Sequence, residues 1–471
     1  MFTKTEKWLI LAIVAFAGIF SPFTSSIYFP AIPALTIAFN KSTELINLTV
    51  TMYIILQGIS PMVWGTLSDN IGRRPITAAC LIVLSLSCVG LALVPTSAYW
   101  LLMVLRCLQA AGSASTIAIG AGVISDISTP AERAGFFGFF LLGPMVGPSL
   151  APVVGGALTQ GLGWRSIFWF LCIASSACLV IIIIIMPETL LAVRFKTDKL
   201  SKLVYTPFVP VVGRKGAVPR DLPPKKKFQN PFGLFAKPDI VLLLIINAII
   251  CAVYYGVIAS LSTLFEQTYP FLDTTKIGLC FLAVGGGMGV GSTTNGKLLD
   301  KWYVLERKRF AERLSRDSEK DVDVKTVDKL PDFPLERARL YFIPILIILL
   351  AGCTAGYGWA LEKGANIAVP LVLQFIIGYM CIAIMNGSST IMIDLVPGQG
   401  SAVTACNNLV RCGLSAVFVS VIELMFNSMG VGWTYVLLTG ITLLSLPAIF
   451  LELRFGPEIR KKRLHAVPEQ K

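Results

Sequence analysis

Gly65-Thr66-Leu67-Ser68-Asp69-Asn70-Ile71-Gly72-Arg73-Arg74-Pro75 is a short polar hinge between two apolar stretches, residues 45–64 and 75–95. Each stretch reaches the roughly 20 residues that an α-helix needs to cross the hydrocarbon core of a bilayer. Gly72 permits a tight turn, and Pro75 suits the first turn of the helix that follows. Arg73 and Arg74 hold the loop on the cytoplasmic side. Asp69 stands where it can pair with a basic neighbour or cap a helix, and Gly65 lets two helices approach closely. The segment reads as the inner turn of a transmembrane hairpin. That reading makes the chain an all-α membrane protein.

The rest of the chain repeats the pattern. Of 471 residues, 55% are hydrophobic and 14% charged, with mean hydropathy +0.74; a soluble protein carries about a quarter charged residues. Twelve apolar runs fall near 8–29, 45–64, 75–95, 100–124, 134–157, 164–186, 240–264, 275–294, 340–360, 367–390, 401–427 and 432–453. The first is too long for the apolar core of a signal peptide and contains Ser21, Thr24, Ser25 and Ser26, so it counts as span one. Lys and Arg fix the orientation. With both termini in the cytoplasm, the outer segments carry only Lys41, Arg165, Lys276 and Lys363, and Arg106 and Arg411 lie within spans. The net charge of +13 therefore faces the inner leaflet and does not indicate nucleic-acid binding. The eleven cysteines fall inside spans as small packing residues, and the lone histidine, His465, lies in the tail. Nothing in the sequence implies a metal, a cofactor or an enzyme's nucleophile–base pair.

The expected organisation is two pseudo-symmetric six-helix bundles, residues 1–186 and 240–453. A cytoplasmic central loop at 187–239 joins them, a second cytoplasmic loop lies at 295–339, and the tail spans 454–471. Both loops read as solvated linkers, with contact to anionic lipid as the alternative. Gly296-Lys297-Leu298-Leu299-Asp300 after span eight repeats the G-x-L-x-D of Gly65 to Asp69 after span two. Repeats at equivalent positions are expected of repeat-built transporters. Gly285-Gly286-Gly287-Met288-Gly289-Val290-Gly291 has a dinucleotide-like spacing but lies within a span, where it makes a helix-packing surface. Asn40-Lys41-Ser42 is a glycosylation sequon on the outer side.

Polar residues recur at helical spacing inside the spans. Arg106, Gln109, Ser113 and Thr116 share one face of span four. Ser21, Ser25 and Tyr28 share a face of span one, as do Tyr53, Gln57 and Ser60 in span two and Asn247, Cys251 and Tyr254 in span seven. Asn386 and Ser389 are neighbours in span ten. In span eleven, Thr404, Asn408, Arg411 and Ser415 share a face, with Asn407 adjacent. Such stripes line a polar cavity or hydrogen-bond between helices. Embedded arginines are expensive and normally face a cavity or a partner.

The hinge from Gly65 to Pro75 resembles the signature loop of the major facilitator superfamily. Arg106-Cys107-Leu108-Gln109-Ala110-Ala111-Gly112 is similar to that family's span-four pattern. Gly143-Pro144-Met145-Val146-Gly147-Pro148-Ser149-Leu150-Ala151-Pro152-Val153-Val154-Gly155-Gly156 resembles the span-five motif of its twelve- and fourteen-span drug:proton antiporters. Ser26-Ile27-Tyr28-Phe29-Pro30-Ala31, Gly163-Trp164-Arg165-Ser166-Ile167-Phe168-Trp169, Phe333-Pro334-Leu335-Glu336-Arg337-Ala338-Arg339-Leu340 and Asn407-Asn408-Leu409-Val410-Arg411-Cys412 look like the fungal quinidine-resistance and weak-acid-exporter subgroup. The resemblance implies the major facilitator fold and a monomer in the plasma membrane that exchanges a small molecule for protons. It assigns a latch to Gly65, Asp69, Gly72, Arg73, Arg74 and Asp126, or else a plain topological anchor, with Asn70 replacing the usual basic residue. It assigns proton coupling to Arg106, with Glu423 the best embedded carboxylate. Gly143, Pro144, Gly147, Pro148, Pro152, Gly155 and Gly156 form the antiporter kink or, more simply, a packing bend. Candidate substrate contacts are Tyr28, Tyr53, Gln57, Arg106, Gln109, Tyr254, Asn386, Asn407, Asn408 and Arg411. Embedded arginines outnumber embedded acids, which favours an anionic substrate. Uptake by proton symport and a non-transporting sensor are the competing expectations.

Overall fold

A chain in hydrocarbon must satisfy every backbone N–H and C=O internally, so helices are the form available to these apolar runs. The computed structural model describes residues 2–128, 130–190, 205–207, 231–318, 330, 332–396 and 400–466; no strand occurs among them. Helix α1 (Lys4–Ser26) opens with a capping box between Thr3 and Glu6, and continues through a 3₁₀ turn at Phe29–Ala31 into α2 (Ile32–Phe39). Then come α3 (Thr43–Ile71), α4 (Arg73–Leu93), α5 (Tyr99–Ile127), α6 (Pro130–Leu162) and α7 (Arg165–Ile185). After a 3₁₀ turn at Pro231–Ala236 follow α8 (Pro238–Thr268), α9 (Thr274–Ser318), α10 (Leu335–Leu340), α11 (Ile343–Glu362), α12 (Ala368–Leu395), α13 (Gly400–Met429), α14 (Val431–Leu443) and α15 (Ser445–Ala466). Among the described residues, 11 helical segments are long and apolar enough to cross a membrane. The 33-residue α6 supplies the run expected at 134–157.

Span one, α9 and α15 depart from the expected limits, α15 continuing to Ala466 through much of the segment expected as a tail at 454–471. Span one extends to Phe39, because Pro30 and Pro33 stand in first-turn positions where proline is tolerated. Helix α9 does not stop after the apolar run near 294 but continues to Ser318. From Lys297 to Ser318 there is no glycine or proline, and ion pairs such as Arg309–Glu306 at 3.1 Å support the polar part. The first half of the expected loop at 295–339 is therefore helix. Most of the central loop, residues 191–204 and 208–230, lies outside the described residues.

The described chain divides into two compact units. The first comprises residues 1–228, 258–285 and 419–423; the second comprises 229–257, 286–418 and 424–471. In the first, aromatic side chains and glycines set the spacing of helices. Phe140 of α6 packs where Gly18 of α1 and Gly120 of α5 leave room. Within α6, Gly147 lies against Pro22, and Gly155 against the Ile27 carbonyl. A Cβ on Gly156 would stand 2.6 Å from the Thr274 carbonyl oxygen, and one on Gly278 2.5 Å from that of Pro152. In the second unit, Gly287 and Gly291 of α9 bring the backbone against Phe375 and Tyr379 of α12. The glycine-rich run of α9 is thus a packing surface there.

Candidate functional site

In the first unit, the α3–α4 hinge is built around three carboxylates, those of Glu188, Asp126 and Asp69. Gly72 links the helices at φ 136°, a conformation that favours glycine. A Cβ there would stand 2.5 Å from Oε2 of Glu188. The Glu188 carboxylate is fully buried and accepts the backbone N–H of Arg73 at 2.9 Å, of Arg74 at 3.1 Å, of Thr189 at 3.0 Å and of Leu190 at 2.9 Å. An anion is thereby seated on the exposed N–H groups of the first turn of α4, where the helix dipole favours it. Burial pushes the Glu188 carboxyl above its ordinary value, and the four N–H donors pull the other way. The Arg73 guanidinium meets Asp126 of α5 at 3.1 Å, Asp69 at 2.5 Å and the Ser68 hydroxyl at 2.7 Å. Gly122 makes the space, since a Cβ there would stand 2.5 Å from the guanidinium carbon. Arg74 turns away and donates to the Ile183 carbonyl at 2.7 Å. Asn70 bonds locally to the Thr66 carbonyl at 2.9 Å. Gly65 makes no close approach: nothing lies within 4 Å of where its Cβ would stand.

Deeper in the same unit, Arg106 of α5 is 0% exposed. Its guanidinium lies over the rings of Tyr28, 4.1 Å from the centroid, and Tyr53, 4.4 Å away. Nη1 donates to Gln109 Oε1 at 2.5 Å. The cage is itself pinned. Tyr28 and Thr49 hydroxyls meet at 2.8 Å, Tyr53 and Ser113 hydroxyls at 2.7 Å, and Gln109 donates to Cys88 Sγ at 3.3 Å. Arg106 Nε and Nη2 have no partner, and among the described residues no carboxylate pairs with this guanidinium. Cation–π contacts supply about 2 kcal/mol when desolvated, against a desolvation penalty of several kcal/mol per buried ion. The cage holds the charge in place without neutralising it. Gln57 is also buried, with Oε1 unpartnered.

In the second unit, Arg411 Nε donates to Asn408 Oδ1 at 2.9 Å, one turn back along α13. Asn407 accepts from Asn247 of α8 at 2.6 Å and donates to Ser389 of α12 at 3.5 Å. Asn386 donates to Ser292 of α9 at 3.3 Å. Tyr254 is buried with its ring edge-on to Tyr255, 5.6 Å between centroids. Glu423 of α13, in the first unit, is half-buried. In α6, Pro144, Pro148 and Pro152 lie within a continuous helix; the surroundings of Gly143 lie outside the described residues.

Several residues that matter here had no prominent sequence signal. Glu188 stood at the edge of an assumed loop; the clue was an acid directly after the apolar run, in Pro187-Glu188-Thr189. Gly122 is one glycine among 40 and carried none. Arg339 Nε meets Asp394 Oδ2 at 3.0 Å, with its guanidinium over Tyr303 at 4.2 Å. This pair reproduces, in the second unit, the Nε–Oδ2 contact of Arg73 with Asp126. Each acid precedes the last residue of its helix, α5 or α12.

These helices, with the matching Arg73–Asp126 and Arg339–Asp394 pairs, define a multi-pass membrane protein. The chain matches the Major Facilitator Superfamily over residues 14–311 and belongs to that family. It is 36% identical to citrate exporter 1 of Aspergillus niger over 99% of this chain and 90% of that protein. It is 33% identical to the MFS antiporter QDR1 of Candida albicans, over 94% and 87%. In fold it is similar to a bacterial homologue of the human lysosomal transporter Spinster, at TM-score 0.63 and 14% identity, covering 100% of both chains. It is also similar to the human organic anion transporter MFSD10, at TM-score 0.59 and 15% identity, covering 94% of this chain and 99% of that one. The protein is a transporter of small organic molecules and not an enzyme.

Proposed function

We propose that the chain exports small organic anions, carboxylates foremost, in exchange for protons across the plasma membrane, with both termini in the cytoplasm. The observation that carries the reading is the fully buried Arg106, whose Nε and Nη2 lack partners and whose charge no described carboxylate neutralises. A guanidinium stays charged at any physiological pH and offers paired donors that fit a carboxylate. Arg411 would provide the second cation. Tyr28, Tyr53 and Gln109 hold the first in register, and Asn407 and Asn408 flank the second. The relative named for citrate, a carboxylate anion, and the relative named an antiporter support the same assignment. Arg73, Asp69 and Asp126 would form the latch of one conformational state, Glu423 would carry the proton, and the α6 prolines and glycines would form the antiporter kink. No observation favours symport or a sensor.

Purified protein in liposomes loaded with labelled citrate or another carboxylate tests the proposal. Efflux is expected to rise with an opposing proton gradient, to fall when an ionophore collapses it, and to drop at least tenfold in Arg106→Ala and Arg411→Ala. Undiminished carboxylate flux in both variants sinks the anion assignment, and flux indifferent to the gradient sinks the exchange.

A further inference from the structure

At one end of the second unit, α15 is fastened to the starts of α8 and α10 by charges. Arg460 pairs with Glu336 of α10 at 2.9 Å and also donates to the Phe333 carbonyl. Arg463 pairs with Asp239 of α8 and reaches the Leu395 carbonyl at 3.5 Å. Asp239 and Glu336 are both 0% exposed. A third carboxylate, Glu452 of α15, is 1% exposed, and neither of its oxygens has a partner. It points into the same cluster. A Cβ placed on Gly456 would stand 2.7 Å from Glu452 Oε1 and 3.2 Å from Glu336 Cγ. Among the described residues, no donor bonds to Glu452. Lys461 is paired with Asp332 at 2.6 Å. Lys237, just ahead of α8, is only part-buried; burial and Arg463 disfavour its ammonium and Asp239 favours it.

Among the described residues, three buried carboxylates meet two guanidiniums here, each guanidinium already engaged. An isolated carboxylate in such a place is strongly penalised and takes up a proton instead. We infer that Glu452 is a proton-binding site, occupied in the fastened arrangement, and that the bound proton keeps α15 clasped to α8 and α10. Losing the proton places a third negative charge beside Asp239 and Glu336, and the clasp loosens as the pH on that side rises. The site goes beyond the proposed exchange reaction and does not require it.

Infrared spectroscopy of the full-length protein in lipid nanodiscs at neutral pH reads the proton directly. Wild type is expected to show a protonated-carboxyl C=O band that Glu452→Gln lacks. A wild-type spectrum without the band, or a band unchanged in Glu452→Gln, overturns the assignment. Should that variant fail to fold, Glu336→Gln provides the independent reading. It leaves two carboxylates to two guanidiniums, so Arg460 becomes available to Glu452 and the band is expected to disappear. Full retention of the band in Glu336→Gln also overturns it.

Discussion

At the scale of the residue, three glycines of the first unit separate by what their missing side chains would meet. At Gly72, both the positive φ and the Glu188 carboxylate exclude a Cβ. Gly72→Ala is expected to lower stability by about 1–3 kcal/mol, the range for residues forced into rare backbone conformations, read as a fall in Tm in detergent. Gly122→Ala, aimed at the Arg73 guanidinium, is expected to dislodge the contact with Asp126 and also lower Tm. Gly65→Ala enters open space and replaces a helical glycine, so it is expected to leave Tm unchanged or raise it. If Gly65→Ala proves as damaging as Gly72→Ala, this geometric ordering is wrong. Glu188 adds a pH dependence. Its carboxyl is raised in the folded protein above its ordinary 4.5, so the native state binds the proton more tightly than the unfolded chain does. Its stabilising contribution is complete below the ordinary value and declines as pH rises through the raised one. Glu188→Gln is expected to make Tm fall less steeply over that window; an unaltered slope would refute it. The sequence pointed to Arg73 by its place in the polar hinge, and to Asp126 through the family resemblance. It gave no sign of Gly122, whose role depends on a neighbour 49 positions away in the chain.

At the scale of the element, α6 and α9 show what patterning can and cannot convey. The apolar part of α9 was legible because its hydrophobicity is continuous. Its polar extension to Ser318 was not, since solvated helix and solvated loop share a composition and only the absence of glycine and proline separated them. Such an extension is expected to give more helical signal in circular dichroism than chains ending α9 near residue 294 would, and Val304→Pro should lower that signal without unfolding the spans. In α6, the run of prolines and glycines announced a bend or a close contact without saying which neighbour it served. The structure supplies the neighbours: Pro22 and Ile27 of the first span, and the start of α9. Gly156→Val is expected to cost about 1–3 kcal/mol by overpacking, visible as reduced Tm. Tolerance of valine would mean that α6 and α9 do not meet closely at that point.

At the scale of the whole molecule, the fold was the most legible feature, because lipid leaves a chain of this composition few alternatives. The second arginine–aspartate pair, Arg339 with Asp394, was half-legible. Its arginine lies in the run Phe333 to Leu340 that carries the family resemblance, and nothing in the sequence says which acid it meets. The cage around Arg106 was visible as stripes on three separate helices. That those stripes converge on one guanidinium is a tertiary fact that periodicity does not contain. Arg106→Lys is expected to retain charge and lose flux, because an ammonium lacks the planar fork that stacks between Tyr28 and Tyr53. Full flux in that variant would reduce the site to a point charge.

The uncompensated cation between two tyrosine rings has an electrical consequence. If the empty carrier keeps that charge while changing conformation, part of an elementary charge crosses the membrane's voltage drop, worth about 2.3 kcal/mol per full charge at 100 mV. Voltage steps applied to unloaded protein should then evoke brief displacement currents that vanish in Arg106→Ala, and a saturating monovalent anion should quench them.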